Sequence, residues 1–338
     1  MEKVRWGIVG TARIATEKVI PGMLGGACSD IRAIASRTYE RAAEAARRLG
    51  IPKAYGSYEE LLADPEIEAV YIPLPNHLHV SLTLQAAAAG KHVLCEKPIA
   101  LDAAEAERLR EIGGKVLVAE AFMVRCHPQW QRVRDLVRAG RIGEVRAIQV
   151  AFSYKNEAET NIRNIAEFGG GALLDIGCYA IVGGRYVFEG EPERVVALVD
   201  RDPRFRTDRT TSALLDFGGG RQLAFTVATQ HVPYQRVQVF GTTGRIEVVT
   251  PFNAPQGGET QLRIDPGTQL ADASAETETI PAADQYGLQG DLFSRAVRGD
   301  ATLEWGVDDA IGNMRIIDAL FRSEASGRWE PVAITGAT

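Results

Sequence analysis

The chain has 338 residues, of which 45% are hydrophobic and 24% are charged, a composition typical of a folded globular protein of about two domains. Its formal net charge of −6 leaves no cationic excess for a phosphate backbone or an anionic lipid surface, so we expect neither nucleic acid nor a membrane as a partner. Four scattered cysteines without a Cys-x-x-Cys pair, and an N-terminus without a signal-peptide pattern, predict a cytoplasmic protein.

The first part of the chain alternates short β-branched apolar runs with helical segments rich in Ala, Glu and Arg. This order is typical of a parallel sheet whose strands are joined by crossover helices. The predicted strands are Val4–Val9, Ile31–Ala35, Ala69–Ile72, His92–Cys95 and Lys115–Ala119. The predicted helices are Arg13–Met23, Tyr39–Leu49, Tyr58–Leu62, Leu78–Ala89 and Ala103–Ile112.

The pattern changes after residue 125, where longer runs alternate polar and apolar residues and are separated by glycine-rich turns. This predicts hairpins in a mostly antiparallel sheet, with strands at Val145–Tyr154, Arg194–Asp200, Thr210–Phe217, Gln222–Thr229 and Gln235–Val249. The other predicted segments are helices at Gln129–Ala139, Gly170–Val187 and Asp308–Ser326, and a loop at Pro255–Asp272. We therefore predict an α/β domain at residues 1–124 and an α+β domain at residues 125–338, with the helix at 308–326 a candidate to pack back on the first domain.

The first strand runs into a small-residue turn of the kind that binds a dinucleotide. Gly10 provides the tight turn, Ala12 stands where a second glycine would let the backbone approach a pyrophosphate, and Ala15 allows close helix packing. The helix N-terminus that follows favours phosphate. Because Ala12 departs from the strict glycine pattern, an ordinary β-to-α turn is the alternative. The candidate cofactor residues here are Gly10, Thr11, Ala12, Arg13 and Ile14.

The end of the second strand indicates which nucleotide would bind. Ser36 and Arg37 stand where a carboxylate would bind the ribose 2′-hydroxyl of NAD. A hydroxyl followed by a guanidinium suits a 2′-phosphate instead, and Arg41 adds a second cation one turn further on. These residues predict NADP, unless Arg37 is only a solvated charge at a helix start.

Three further side chains can move or orient a proton. Lys97 follows the fourth predicted strand in Glu96-Lys97-Pro98, at the strand end that faces the ligand in parallel sheets. Asp175 and Tyr179 are four residues apart and therefore share one face of a helix. Spacing alone favours more ordinary interpretations. Lys97 would be a surface lysine beside a turn proline, and Asp175 and Tyr179 would be an exposed pair.

Several spaced motifs carry a resemblance that covers nearly the whole chain. Besides the small-residue turn they are Pro73-Leu74-Pro75-Asn76-His77-Leu78-His79, Glu96-Lys97-Pro98, Glu120–Gln129 and Gly169–Tyr179. In this order they resemble the Gfo/Idh/MocA oxidoreductases. Much of that family carries a histidine where this chain has Tyr179, so the chain resembles the tyrosine-type branch with glucose-fructose oxidoreductase, NADP-dependent xylose dehydrogenases and dimeric dihydrodiol dehydrogenases. It departs from that branch at Ala12 and shows no export signal or cofactor-clasping arm.

The resemblance implies an α/β Rossmann N-terminal domain and an α+β C-terminal domain with a large open-faced, mostly antiparallel sheet that forms a homodimer or homotetramer. It implies that Lys97 and Tyr179 are catalytic and that Asp175 orients the substrate. A free phenol has a pKa of about 10, so a neighbouring ammonium, here Lys97, is expected to favour its ionised form and make Tyr179 the base. The substrate-binding residues would be Lys97, Arg163, Asp175 and Tyr179, and Arg163 is also a candidate for binding the cofactor. Further cofactor-binding residues would be Pro73, Leu74, Asn76, His79, Glu96, Lys97 and Arg125. The alternative for Arg125 and Arg163 is that both are ordinary surface arginines.

The expected activity is NADP-dependent oxidation of the anomeric carbon of an aldose, of the xylose or glucose type, to a lactone. An aldose–aldose or glucose–fructose type oxidoreductase with tightly bound NADP, and a trans-dihydrodiol dehydrogenase, are alternatives within the family. A non-catalytic NADP-binding sensor is an alternative of another class. His77 and His79 form a His-x-His pair, but no further ligand at metal spacing accompanies them, so we expect no metal.

Overall fold

The computed structural model describes residues 2–270 and 272–332, and the chain forms two compact units. The first unit contains Met1–Cys126 and Asp284–Ile311, and the second contains His127–Ala283 and Gly312–Thr338. The first boundary thus falls two residues after the predicted one at residue 124. The return of the chain to the first unit at 284–311 differs from the sequence-based division, which assigned this segment to the second domain.

The first unit is built on a six-stranded sheet of order β3-β2-β1-β4-β5-β6, in which neighbouring strands are parallel. This confirms the predicted Rossmann-type sheet. Its strands are β1 Val4–Val9, β2 Ser29–Ala35, β3 Lys53–Tyr55, β4 Ala69–Ile72, β5 His92–Cys95 and β6 Val118–Glu120. Its helices up to residue 126 are α1 Ile20–Gly25, α2 Tyr39–Leu49, α3 Tyr58–Ala63, α4 His79–Ala88 and α5 Ala103–Glu107.

Short elements account for the differences from the predicted secondary structure of this unit. Strand β3 has three residues, too few for a recognisable pattern, and β6 begins at Val118 rather than Lys115. The predicted helix Arg13–Met23 contains a π-helical turn at Ala15–Val19 before α1, and Ala103–Ile112 ends in a 3₁₀ turn at Arg108–Ile112. Over five residues, the apolar spacing does not separate these turns from an α-helix.

Helix α8, Gln285–Val297, belongs to the first unit because it covers Trp6 of β1. The Trp6 and Phe293 ring centres are 5.3 Å apart, and the Trp6 indole N–H donates to Ser294 Oγ at 3.0 Å. Burial of large aromatic side chains of this kind stabilises the unit. The partners are 288 positions apart in the chain, so local periodicity does not predict this return.

The second unit is built on a nine-stranded sheet of order β14-β13-β12-β11-β7-β10-β9-β8-β15. Neighbouring strands are antiparallel except β10 and β7, which are parallel, so the predicted mostly antiparallel sheet is confirmed. The strands are β7 Val145–Lys155, β8 Arg194–Arg201, β9 Asp208–Asp216, β10 Gln222–Ala228, β11 Gln230–Gly241, β12 Arg245–Val248, β13 Thr260–Asp265, β14 Glu276–Ile280 and β15 Glu330–Pro331. The helices are α6 Pro128–Arg138, α7 Cys178–Phe188 and α9 Val307–Ser326, and the division between the units falls within α9, after Ile311.

Two segments of this sheet differ from the sequence prediction. The predicted run Gln235–Val249 is divided into β11 and β12 by a turn in which the Gly241 N–H donates to the Gly244 carbonyl at 2.8 Å. The predicted loop Pro255–Asp272 contains β13, and β14 follows it. Strand β14 is mostly polar, because it lies at an edge of the sheet with one neighbouring strand, and it therefore lacks an apolar pattern.

Helix α7 is buried along its whole length and packs against the sheet. Gly184 permits this close approach, since a Cβ at that position would lie 2.7 Å from Cδ2 of Leu223 in β10. The stretch Ala166–Phe188 has the length and apolar composition of a membrane-crossing helix, but its apolar window is 94% buried inside the structure, as in a core helix. Because α7 packs against the sheet, the residues of α7 and of the turn that directly precedes it have fixed positions.

Candidate active site

The small-residue turn after β1 has the strand–turn–helix setting of a dinucleotide site. Gly10 has φ of +126°, which L side chains rarely adopt, and a Cβ there would lie 2.8 Å from Cδ2 of Leu74. Its N–H donates to the Ala35 carbonyl of β2 at 3.0 Å, so the turn is tied to the sheet. Glycine is therefore required at residue 10, because any other side chain would be strained and would displace Leu74.

The other predicted residues of this turn lie along its outer side. Thr11, Ala12 and Ile14 are half-buried, and Arg13 is exposed. Arg13 binds Glu17 through two contacts of 3.1 Å, which holds the pKa of that carboxyl below its ordinary value. An exposed pair of this kind is weak and screened, so it leaves the Arg13 guanidinium available for exchange with a phosphate.

Two exposed arginines follow β2 where a 2′-phosphate is predicted. Neither Arg37 nor Arg41 has a hydrogen-bond or ion-pair partner in the described ranges 2–270 and 272–332. Burial raises the pKa of the Tyr58 phenol and the charges of Arg37 and Arg41 oppose that shift, so both guanidinium groups lie near Tyr58. Ser36 is buried beside them. Two neighbouring cations without an internal partner suit a dianionic group such as a phosphate monoester.

The loop after β4 carries the next predicted cofactor residues. Pro73 is buried, and Leu74 and Asn76 are half-buried. The Leu74 side chain lies over Gly10, so this loop and the small-residue turn are neighbours at the carboxyl ends of the strands. Ligands of such sheets bind in the crevice at that end.

His79 is held by the protein's own backbone. Its Nδ1 lies 2.7 Å from the Pro98 carbonyl oxygen and its Nε2 lies 2.7 Å from the Leu74 carbonyl oxygen. The ring is fully buried, and burial lowers its pKa to about 4. Because both ring nitrogens contact the protein's own backbone, His79 ties the Leu74 loop to the turn that carries Lys97. Its contact with a cofactor stays a prediction.

Lys97 lies on a turn that Glu96 anchors. The Tyr71 phenol donates to Glu96 Oε1 at 2.6 Å, and the Lys97 N–H donates to Glu96 Oε2 at 3.3 Å. Lys97 is half-buried, and its positive charge contributes to the lowered pKa of His79. The structure therefore gives Glu96 a role in positioning the Lys97 backbone, while its contact with a cofactor stays a prediction.

Arg125 is held inside the first unit. It is 4% exposed, and its Nη1 donates to Asp309 Oδ2 at 2.6 Å. The guanidinium lies 5.0 Å from the Trp305 ring centre and 5.5 Å from that of Phe122. Asp309 and the two rings stabilise the buried charge. A direct contact of Arg125 with a cofactor stays a prediction.

In the second unit, a π-helical turn at Leu173–Gly177 carries Asp175. The chain enters it through Gly171, whose φ is +121° and whose Cβ, if present, would lie 1.9 Å from Asp208 Oδ1. The Leu173 N–H donates to Asp208 Oδ2 at 2.7 Å. Burial raises the pKa of Asp208 to about 6, and the Leu173 N–H opposes that shift. A buried carboxylate therefore caps the start of the helix that presents the predicted catalytic residues.

Asp175 is bound by two donors from elsewhere in the second unit. Its Oδ2 accepts from the Tyr154 hydroxyl at 2.5 Å and from Arg163 Nε at 2.9 Å. Asp175 raises the pKa of the Arg163 guanidinium above its ordinary value, burial opposes the shift, and the phenols of Tyr154 and Tyr179 add to it. Arg163 is thus a cation that binds the carboxylate and interacts electrostatically with the predicted base.

Tyr179 is 7% exposed and its ring is fixed by aromatic contacts. Its ring centre lies 6.2 Å from that of Phe152, edge to face, and 5.6 Å from that of Phe252. Such contacts hold an aromatic ring in one orientation. The phenol therefore has a defined direction on the helix face that it shares with Asp175.

The structure brings Asp175, Tyr179 and Arg163 together in the second unit, and it places Lys97 with the nucleotide-side residues in the first. Sequence analysis missed Tyr154 and Asp208. Tyr154 ends the predicted strand Val145–Tyr154, and the alternation along that strand indicates its face but not its carboxylate partner.

Among the residues that the structure describes, no group of three or more His, Cys, Asp and Glu side chains could hold a metal ion.

Comparison with known proteins gives matches over most of the chain. The family model GFO_IDH_MocA, an oxidoreductase family with an NAD-binding Rossmann fold, matches residues 4–116, and the GFO/IDH/MocA C-terminal domain model matches residues 130–247. An uncharacterized oxidoreductase of Rhizobium meliloti is 50% identical over 98% of this chain and 100% of its own length.

Two further relatives, a dehydrogenase and a reductase, are similar to this chain over nearly their full lengths. An NADP⁺-dependent D-xylose 1-dehydrogenase of Haloferax volcanii is 37% identical over 95% of this chain and 98% of its own. The crystal structure of a 3-ketoreductase from Actinomadura kijaniata, in complex with NADP and TDP-benzene, aligns with a TM-score of 0.88 at 31% identity, covering 95% of this chain and 98% of that one.

Proposed function

Because the chain belongs to the Gfo/Idh/MocA oxidoreductase family, we propose that it is an NADP-dependent dehydrogenase that oxidises the anomeric carbon of an aldose, of the xylose or glucose type, to a lactone. The relative from Haloferax volcanii supports this substrate class. The unpartnered guanidinium groups of Arg37 and Arg41 support NADP rather than NAD as the cofactor.

The observation that carries the proposal is the cluster of Asp175, Tyr179 and Arg163. The Arg163 guanidinium binds Asp175 at 2.9 Å and lies close enough to Tyr179 for the two groups to interact electrostatically. The cluster contains an acceptor for a substrate hydroxyl, a group that can take up a proton, and a positive charge that favours the phenolate. A sensor that only binds NADP needs none of these.

The roles of the residues follow from their chemistry. NADP, held by the turn after β1 and by Arg37 and Arg41, would supply a nicotinamide able to accept a hydride. The Tyr179 phenolate removes the proton from the hydroxyl on the reacting sugar carbon, and Lys97 donates a hydrogen bond to the same oxygen. Asp175 accepts a hydrogen bond from a second sugar hydroxyl and so orients the sugar.

The test measures nicotinamide absorbance with nucleotide-stripped protein, NADP or NAD, and a panel of aldoses, polyols and trans-dihydrodiols. NADPH formation that depends on an aldose is the expected result. Interconversion of two sugars by unstripped protein, without added cofactor, would instead identify an aldose–aldose oxidoreductase. Turnover of dihydrodiols alone would identify a dihydrodiol dehydrogenase. Oxidation of NADPH by keto sugars alone would identify a ketoreductase, and inactivity in every assay would favour the sensor.

We expect Arg37→Ala to raise the KM for NADP about 10-fold, because one charge-assisted contact with the 2′-phosphate is lost. The KM for NAD, which lacks that phosphate, should change less than about twofold. The measurement is initial-rate kinetics with each nucleotide at a fixed sugar concentration. Arg47→Ala, at an exposed position in the last turn of α2, is the matched control. An equal change in the KM of both nucleotides would contradict the assignment of Arg37.

We also propose that the chain forms a homodimer or homotetramer through an open face of the nine-stranded sheet. Apolar side chains are exposed on this sheet, with Leu198 of β8 and Val232 of β11 each 78% exposed and Tyr234 of β11 50% exposed. Leu198 and Tyr234 line a broad, open cavity on strands β7 to β11, whose other lining residues are small or apolar apart from Gln149, Arg236, Gln238 and two hydroxyl side chains. A second copy would remove this apolar surface from water.

We expect Leu198→Glu to convert the oligomer to a monomer of 36.7 kDa, because it places a charge in the contact. Light scattering after gel filtration measures the mass. Leu24→Glu, on the exposed side of α1, controls for a general effect of an added charge. A wild-type protein that is already monomeric would refute the interface.

We propose the cytoplasm as the location of the protein. Within the part of the chain that the structure describes, none of the four cysteines, Cys28, Cys95, Cys126 and Cys178, forms a disulfide. Thiols that remain reduced are typical of a reducing compartment.

A further inference from the structure

Tyr154 has no part in the mechanism above, yet it makes the shorter of the two described contacts to Asp175. Its hydroxyl lies 2.5 Å from Asp175 Oδ2, against 2.9 Å for Arg163 Nε. A hydroxyl that donates to a carboxylate at this distance forms a strong, charge-assisted hydrogen bond. The two donors come from separate elements, strand β7 and the 3₁₀ turn Ile162–Asn164. Asp175 is thus held from outside its own helical turn.

The Tyr154 phenol is the donor in this contact and stays protonated. Burial raises its pKa above the ordinary value, and the charge of Asp175 and the hydrogen bond to it raise it further. The nearby Asp208 adds to this shift, and only Arg163 opposes it. Tyr154 therefore cannot replace Tyr179 as the base at neutral pH, which restricts it to donating a hydrogen bond.

Strand β7 supports both predicted site residues at once. Phe152 and Tyr154 are two residues apart and lie on the same face of the strand, about 6.7 Å from each other along it. Asp175 lies in the π-helical turn and Tyr179 in α7, four residues apart. Phe152 contacts the Tyr179 ring and Tyr154 binds Asp175, so one strand contacts both residues. The orientation of both side chains is set by one strand.

We propose that Tyr154 is a positioning residue that fixes the Asp175 carboxylate in the orientation that recognises a hydroxyl of the sugar. Tyr154 and Arg163 together occupy Oδ2, which turns the carboxylate and sets the direction in which its other acceptor positions point. This inference rests on the proposed function, because it assigns Tyr154 an effect on the sugar through Asp175. It adds specificity for substrates with a hydroxyl at a defined place next to the reacting carbon.

Removal of the Tyr154 hydroxyl should loosen Asp175 without altering the fold or the nucleotide site. Tyr154→Phe keeps the ring on β7 and leaves Arg163 as the remaining described donor to Oδ2. A substrate hydroxyl is then oriented less well, and small errors in orientation cost much of the rate. We expect kcat/KM for the sugar to fall about 10- to 30-fold, the loss of one hydrogen bond to a charged group. The KM for NADP should change less than about twofold.

A double-mutant cycle separates positioning from a merely structural role. In an Asp175→Ala background the carboxylate is absent, so adding Tyr154→Phe should change kcat/KM less than about twofold. Losses that multiply in the double variant would show that Tyr154 acts independently of Asp175, and the proposal would be wrong. Tyr55→Phe is the matched control, because the Tyr55 hydroxyl donates to Asp64 Oδ2 at 2.7 Å in another part of the protein. Its kcat/KM should equal that of the wild type.

The same cycle distinguishes failure of this inference from failure of the proposed function. If Asp175→Ala lowers kcat/KM at least 10-fold and Tyr154→Phe does not lower it, only the positioning role of Tyr154 is refuted. If Asp175→Ala leaves kcat/KM for every accepted sugar unchanged, the proposed role of Asp175 itself is refuted. A fall with Tyr154→Phe that is lost in the Asp175→Ala background, at unchanged KM for NADP, establishes the positioning role.

Discussion

Tyr179→Phe is expected to lower kcat at least about 100-fold, because it removes the group that takes the substrate proton. The substitution deletes one oxygen atom and retains the ring that packs against Phe152 and Phe252. The fold and the KM for NADP should therefore be retained. Steady-state kinetics with the sugar identified by the substrate panel, together with a thermal melt, provide the measurement.

Tyr186→Phe is the matched control for that variant. Tyr186 lies on the same helix, is also buried, and packs against Trp130 and Arg134. Its kcat should stay within about twofold of the wild-type value. A Tyr179→Phe enzyme that turns over at the wild-type rate would show that another residue is the base.

Gly171→Ala is expected to lower the free energy of unfolding by about 3 kcal/mol or more, since a side chain at this position is both strained and obstructed. The φ of +121° is a conformation that L side chains rarely adopt. The added Cβ would lie 1.9 Å from Asp208 Oδ1, the carboxylate that caps the helix carrying Asp175. Displacement of Asp208 should also move that helix, so kcat should fall along with stability. Urea denaturation followed by circular dichroism measures the loss.

Gly140→Ala separates the two causes of that loss. Gly140 also has a positive φ, +69°, but nothing lies within 4 Å of a Cβ there. It should cost only the conformational strain, about 1 to 2 kcal/mol, and leave kcat unchanged. Equal destabilisation by the two variants would mean that the contact with Asp208 is unimportant.

Local sequence patterns determined much of the first unit and of the site. Alternating apolar runs predicted five of the six strands of the parallel sheet, and the turn at Gly10 was placed at the end of β1. The spacing of Asp175 and Tyr179 placed them on one helix face, although that spacing did not reveal that Asp175 lies in a π-helical turn. These features depend on neighbours within a few residues, which is the range over which hydrophobic period and turn chemistry act.

The tertiary structure alone decided what surrounds these residues. The ring of His79 contacts the Pro98 carbonyl, 19 positions away, and the Leu74 carbonyl. Tyr154 meets Asp175 across 21 positions, and Asp208 meets Leu173 across 35. No periodicity in the chain encodes such pairs, because each depends on how a strand and a helix pack in space.

The return of the chain to the first unit is another feature that tertiary structure decided and local sequence patterns did not. The composition of Gln285–Val297 allows a helix, but its assignment to the first unit follows from burial of Trp6 against Phe293 and Ser294. The sequence by itself determined most of the parallel sheet and the small-residue turn after β1, and it predicted the proton-moving residues. Only the tertiary structure decided which side chains hold those residues in place, because contacts between distant segments form when apolar surface is buried and leave no local signature.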